Sequence, residues 1–500
     1  MLEKTLKSID QEQTELVFGL VGPLGTDLRR IETFIQEGLQ RFQYTTQVVK
    51  LTAFLEIIDS GNLGIALKSA PEAERVRTSI EAGNALRKLT KRNDIFALYA
   101  ASNISAKREN DPKGGERSRP IPRTAHIIHS LKHPDEVRTL RRIYGQGFFL
   151  IGVFSPESVR LRNLTERRLM PEKDAYNLIN RDENETEPHG QHTSDVFEMS
   201  DVFIPMTGNE ERTRSQLHRF LDLVFGAPHI TPTQEEHGMF LAFSAALRSG
   251  SLARQVGAII TNSMGDVLAV GANDAPRFGG GQYWPGPSDF RDVATGNDAN
   301  DVMKRKLVVA LMRKVQPDRA GASDEVLYKE GREVLKDTGL MDITEYSRDV
   351  HAEMAAFMAC ARIGVSTVGS LLYTTTFPCH NCAKHIVAAG VRTVHFVEPY
   401  PKSHAVKLHG DSLLLSDGDQ VEDKVVFKPF VGVGPRRFFD LFSMKLSSGQ
   451  SISRKTKEGG SIEWPTLGTT PRIHLQPYSY IEKEVIASDE LFELIKEYKL

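Results

Sequence analysis

The sequence predicts an α/β architecture in both halves of the chain, a parallel-sheet domain followed by an α/β/α domain, and three observations carry it. First, the apolar run Leu16-Val17-Phe18-Gly19-Leu20-Val21 enters a turn, Gly22-Pro23-Leu24-Gly25-Thr26, and residues 28–39 then carry apolar side chains at helical spacing. Second, residues 46–51, 125–128, 148–154 and 202–204 read as further buried strands with helical stretches between them, which implies a parallel sheet. Third, residues 233–248 read as a helix, 256–260 and 267–271 as two strands joined at Ser263-Met264-Gly265-Asp266, and a helix, strand, helix, strand series follows to 397.

Glycines at a strand-to-helix junction let backbone amides approach a phosphate at the helix N-terminus. Gly22, Gly25 and Thr26 are therefore the nucleotide-binding candidates of the first half, with ATP or a deoxynucleoside triphosphate as the ligand. The residue before Thr26 is Gly25 where a phosphate-binding loop has lysine, so a tight structural turn explains the stretch nearly as well. Residues 107–123 and 180–194 are too charged for a core and read as solvated loops. An amphipathic helix over 210–224 closes the domain, and Gly226-Ala227-Pro228 marks a boundary. Expected domains are 1–226, then 231–445 with an insertion at about 277–347, then a C-terminal extension, 446–500, whose stretch 447–461 is poor in apolar residues.

Composition narrows the setting. With 500 residues, 40% hydrophobic and 26% charged, the chain is an ordinary globular protein of two or three domains. A formal net charge of −2 supplies no global basic field for nucleic acid. No run is long enough for a membrane span, the first residues lack a signal-peptide core, and three cysteines suit a reducing compartment, so a cytoplasmic protein without membrane contact is expected.

The chemistry concentrates in His351-Ala352-Glu353 and Pro378-Cys379-His380-Asn381-Cys382. Catalytic zinc takes three protein ligands and keeps a fourth position for water. His351, Cys379 and Cys382 fill that count, the cysteines being three apart at a strand-to-helix junction where the helix dipole favours thiolates. Glu353, two residues past the histidine, reaches the water without binding metal and is the general acid/base. A structural zinc knuckle would need a fourth ligand, and Cys360, within an apolar helical run, reads as core.

With these motifs, residues 233–400 resemble deoxycytidylate deaminases, to which Arg254-Gln255-Val256-Gly257-Ala258 and Gly271-Ala272-Asn273-Asp274-Ala275-Pro276 add a strand entry and a sugar-binding turn. The whole chain, with its degenerate phosphate loop and tail segment Phe430-Val431-Gly432-Val433-Gly434-Pro435-Arg436-Arg437, resembles the bacterial anti-phage deoxycytidylate deaminases. The resemblance implies a P-loop kinase-like domain ahead of a zinc-dependent, cytidine deaminase-like domain, deamination of dCTP or dCMP that depletes dCTP, a homo-oligomer, and in some relatives a small regulatory RNA. It places Asn273 on the deoxyribose and base edge, while Asp274 stands where the family has glycine. Arg254, Tyr400 and Lys402 are the further substrate-binding candidates, the cations for phosphate. A polynucleotide deaminase and a nucleotide sensor with structural zinc are the alternative readings.

Overall fold

The structure is a computed structural model that describes residues 15–58, 60–109, 120–183, 187–319, 321–336, 338–399, 403–416, 423–473 and 477–500. Its strands, in chain order, are β1 (Leu16–Val21), β2 (Thr45–Lys50), β3 (Thr124–His129), β4 (Phe148–Phe154), β5 (Val202–Pro205), β6 (Gly257–Thr261), β7 (Val267–Ala272), β8 (Leu371–Thr376), β9 (Thr393–Glu398), β10 (Leu413–Leu415), β11 (Val425–Pro429) and β12 (Gly432–Val433). Two compact units result, one from residues up to 236 together with 431–500, the other from 237–430.

The first unit is built on a six-stranded sheet ordered β12-β5-β4-β1-β3-β2. β1 to β5 are mutually parallel, and the two-residue β12 pairs antiparallel with β5. Each residue of β1 and of β5 is buried, as a parallel sheet covered on both faces requires. Alternation sorts β1 between two cores. Leu16, Phe18 and Leu20 meet Ile31, Phe34 and Ile35 of helix Leu28–Gln40 and Phe220 and Leu221 of helix Glu210–Val224. Val17 and Val21 join the core formed with helices Ile95–Glu109, Pro134–Tyr144 and Pro477–Tyr498.

The last of these helices is held by a buried ionic cluster. Arg108, fully buried, bonds Glu15 at 3.0 Å and grips Glu484 with two nitrogens, one at 2.9 Å. His126 Nε2 lies 3.1 Å from Glu15, and the Tyr480 hydroxyl donates to the same carboxylate. Burial alone would raise Glu15, but Arg108 and His126 more than offset it and hold it down to about 2, whereas burial keeps Glu484 above the usual carboxylate range.

The expected strands and the helix over 210–224 are present; the domain ends differ from expectation. The sequence reading kept 431–445 with the second domain and set 446–500 apart, whereas the structure returns 431–500 to the first unit, through β12 on β5 and through Ile473, Tyr480, Ile481 and Leu491 in its cores. The stretch 180–194, read as solvated, contributes a buried Asp182, the last turns of helix Glu172–Glu183, and part of it lies outside the described residues.

The second unit has a sheet ordered β10-β11-β9-β8-β6-β7, antiparallel across β7-β6-β8 and parallel from β8 to β10. Glycines let helices lie on it closely: a Cβ at Gly257 would stand 1.9 Å from the Ala242 carbonyl of helix Gln234–Ala246, and one at Gly271 would stand 2.1 Å from the Ala352 carbonyl of helix Ala352–Ile363. The insertion folds as helices Ala299–Val315 and Asp324–Val334 around Val308, Val309, Met312 and Leu327.

Candidate active site

Two helix N-termini and one strand end position the chemistry of the second unit. His351 is the N-cap of helix Ala352–Ile363, so its ring stands beside the first turn, where Glu353 lies. Cys379 is the N-cap of helix His380–Ala388 and accepts the Cys382 amide on its sulfur at 3.4 Å. At the expected strand-to-helix junction, Cys379 caps the helix and Cys382 occupies its first turn, an arrangement that aims both sulfurs at one point.

That point has the dimensions of a metal site. His351 Nδ1 lies 3.4 Å from Cys379 Sγ and 3.3 Å from Cys382 Sγ. Bond lengths of about 2.3 Å to sulfur and 2.0–2.1 Å to nitrogen, at tetrahedral angles, separate such atoms by roughly 3.5 Å. The three residues form the group with metal-ligand geometry among the described residues, and a tetrahedral zinc fits them. Protonation follows the same contacts. Hydrogen bonding from Cys382 and His351 holds the Cys379 thiol down to about 4, Cys382 is pushed well up by donating to Cys379, and the Cys379 sulfur raises His351 to about 9.

Glu353 is 4% exposed, with Oε2 3.4 Å from Cys382 Sγ, and burial raises its pKa. It lines a cavity of about 320 Å³ together with His351, Cys379, Asn273, Arg254 and Phe377. Asn273 is more committed than the sequence implied. Its Oδ1 accepts the Val256 amide at 2.7 Å and its Nδ2 donates to the Arg254 carbonyl at 2.8 Å, which leaves one amide hydrogen for a ligand. Arg254 is half exposed, 3.7 Å from Glu398. Asp274 is fully buried and accepts the Gly250 and Ala275 amides, so its carboxylate is spent on the backbone. Tyr400 and Lys402 lie outside the described residues.

Sequence reasoning missed the wall that the insertion supplies: Asp298, Asn300, Thr344 and Ser347 line the same cavity, as does Asp349. The only sequence signal was Asp298 as a helix N-cap, accepting from Asn300 and Asp301, and a cap says nothing of what its neighbours face. Asn300 Oδ1 and Asp349 Oδ1 are buried without a hydrogen-bond partner.

In the first unit the glycine turn follows the central strand β1. Gly25 has φ of 91°, and its carbonyl accepts from Asn163 Nδ2 at 2.6 Å. The Leu24 amide donates to Asp182 at 2.8 Å, and Lys132 Nζ sits on the same carboxylate at 2.9 Å and on the Gly22 carbonyl at 3.3 Å. Thr26 is buried, with a hydroxyl that makes no hydrogen bond. A protein carboxylate thus occupies the Leu24 amide and Lys132, two groups that a bound phosphate would draw on here.

Comparison with known proteins agrees with the second unit's geometry. Residues 232–398 match the cytidine and deoxycytidylate deaminase zinc-binding region. ComE operon protein 2 of Bacillus subtilis (strain 168) is 42% identical over 69 residues, 14% of this chain and 36% of that protein. Deoxycytidylate deaminase of Enterobacteria phage T2 is 36% identical over 73 residues, 15% of this chain and 37% of that protein. This chain thus spans just over a third of these relatives' length. Among solved structures, the dCMP deaminase of cyanophage S-TIM5 in complex with dCMP and dUMP is 19% identical, covers 40% of this chain and 100% of its own, and has a TM-score of 0.24.

Proposed function

We propose that the second unit hydrolyses the exocyclic amine of a free deoxycytidine nucleotide, dCMP or dCTP, giving the deoxyuridine nucleotide and ammonia. One observation carries the reading: a buried carboxylate, Glu353, shares a small cavity with a His/Cys/Cys group of tetrahedral zinc dimensions. Zinc, when bound by His351, Cys379 and Cys382, supplies a Lewis acid that makes water nucleophilic near neutral pH. Glu353 takes the proton from the attacking water and returns it to the leaving nitrogen at C4, and a carboxyl whose pKa burial raises does both more readily than a solvated one. The remaining Asn273 amide hydrogen faces the base, Phe377 gives it an apolar side, and Arg254 meets phosphate at the open edge. Depletion of dCTP would arrest a replicating virus, the antiviral role we infer for the activity.

A cavity of this volume, walled by the insertion, favours a free nucleotide over a polynucleotide. Ammonia release should be measured from dCMP, dCTP, CMP and cytidine beside single-stranded DNA and RNA containing cytosine or adenine. Turnover of a free deoxycytidine nucleotide is expected. Turnover confined to polynucleotides would overturn the reading.

A further inference from the structure

The first unit holds an open cavity of about 570 Å³ lined by five arginines, Arg29, Arg30, Arg75, Arg167 and Arg168. Only two carboxylates, Asp27 and Glu72, line it with them. We propose that this cavity binds the phosphates of a polyphosphate-bearing small molecule, of which nucleoside triphosphates are the abundant class. The proposal stands apart from the deaminase reading, because its residues lie in the other unit and none of them serves the zinc site.

In the glycine turn of the same unit Asp182 already takes the Leu24 amide and Lys132. The arginine cavity begins one residue further on, at Asp27, the N-cap of helix Leu28–Gln40, so it adjoins the end of the central strand β1. β1 and its neighbour β3 connect onward in opposite directions there, β1 to β2 and β3 across β1 to β4, the place where open parallel sheets receive ligands. Arg29 and Arg30 project from the first turn, whose dipole favours an anion. From the other side Arg167 ends a single π-helical turn, Asn163–Arg167, with Arg168 next to it, a local winding that recurs at functional sites.

The cavity already shows how it would hold oxyanions. Glu72 receives Arg75 through two nitrogens, each at 2.7 Å, and Arg168 at 3.4 Å, the fork geometry that guanidinium offers to carboxylate and phosphate alike. Arg167 reaches Asp27 at 2.9 Å with both partners partly in solvent. Such exposed pairs contribute little, so a multiply charged ligand can exchange with them. Arg29 is exposed and has no carboxylate partner among the described residues. Arg30 is likewise paired, with Glu210 at 2.6 Å and both side chains partly in solvent, so five arginines along one open cleft retain an excess of positive charge that suits a compact anion of several charges. A polynucleotide would instead need a basic stripe, which this unit's interspersed acidic residues do not form.

The test is calorimetric titration of the zinc-loaded full chain with inorganic tripolyphosphate, orthophosphate, ATP and the four deoxynucleoside triphosphates at about 0.15 M salt. Arg29→Glu and Arg167→Ala are the variants, each checked by melting temperature. Expected are one tripolyphosphate site per chain and a tenfold or greater weakening in both variants with melting within a few degrees of the parent before ligand is added. Arg29→Glu alters a side chain with no structural bond, so it keeps the test decisive if Arg167→Ala fails to fold. No tripolyphosphate binding, equal binding by Arg29→Glu, or orthophosphate bound as tightly as tripolyphosphate would each overturn the proposal. So would single-stranded RNA that binds and is not displaced by tripolyphosphate.

Discussion

Gly271→Ala should damage the zinc site from the strand that lies beneath its first helix. The new Cβ would stand 2.1 Å from the Ala352 carbonyl and 2.6 Å from the Ala356 amide, where ordinary contact begins at 3.4 Å. Closing the larger deficit, 2.1 to 3.4 Å, requires a shift of 1.3 Å between β7 and the first turn of helix Ala352–Ile363. That turn carries His351 and Glu353. Overpacking of this kind costs about 1–3 kcal/mol of stability, and a misplacement of about 1 Å in a catalytic group costs roughly a hundredfold in rate. Gly257→Ala is the control: it is as crowded, with Ala242 at 1.9 Å, but displaces helix Gln234–Ala246, which bears no ligand. Urea denaturation, zinc affinity by competition with a chromogenic chelator, and kcat would be measured for both. Expected is comparable destabilisation, with weakened zinc and a large loss of kcat confined to Gly271→Ala. A Gly271→Ala protein whose kcat falls less than threefold, or a Gly257→Ala protein that loses as much, would refute the reasoning.

Two further predictions follow from buried charge. Arg108→Met leaves Glu15 and Glu484 facing each other without a cation, so denaturation should show a loss of about 3–5 kcal/mol at pH 7. Both carboxylates of that variant should have folded pKa values above their unfolded ones, so its deficit should shrink as pH falls toward 4.5; a deficit independent of pH would contradict the assignment. At the zinc site, Cys379 is already a thiolate at pH 7 whereas His351, raised to about 9, and Cys382, raised further, hold protons. Adding zinc to chelator-stripped protein at pH 7 should therefore release about two protons per metal and restore both activity and melting temperature, with affinity rising toward pH 9. Zinc uptake without proton release would exclude these residues as the ligands.

What the sequence revealed and what it hid divide along the range of the interactions involved. The group that could hold a metal was legible because its motifs are local: a histidine capping one helix, a cysteine capping another, and a glutamate within the first turn. Parallel strands with both faces covered announced themselves as apolar runs. The return of 431–500 to the first unit was hidden, because β12 has two residues, and in helix Pro477–Tyr498 the buried positions Tyr480, Ala487 and Leu491 are interrupted by an equally buried Glu484. No apolar pattern predicts a glutamate inside a core, since its partner Arg108 is remote in sequence. Asp182 was misjudged for the same reason, its partners Leu24 and Lys132 being supplied by distant loops. The insertion's contribution to the cavity, above all Asn300, depends on tertiary placement that helix signals do not carry.

The most direct measurement of the central claim pairs metal content with ammonia release for Glu353→Gln, which keeps the shape of the side chain and removes its acid/base function. One zinc per chain should remain, since His351, Cys379 and Cys382 are untouched, and turnover of dCMP and dCTP should fall by about 10²–10⁴. A Glu353→Gln protein that keeps its zinc and still deaminates at the parent rate would contradict the account.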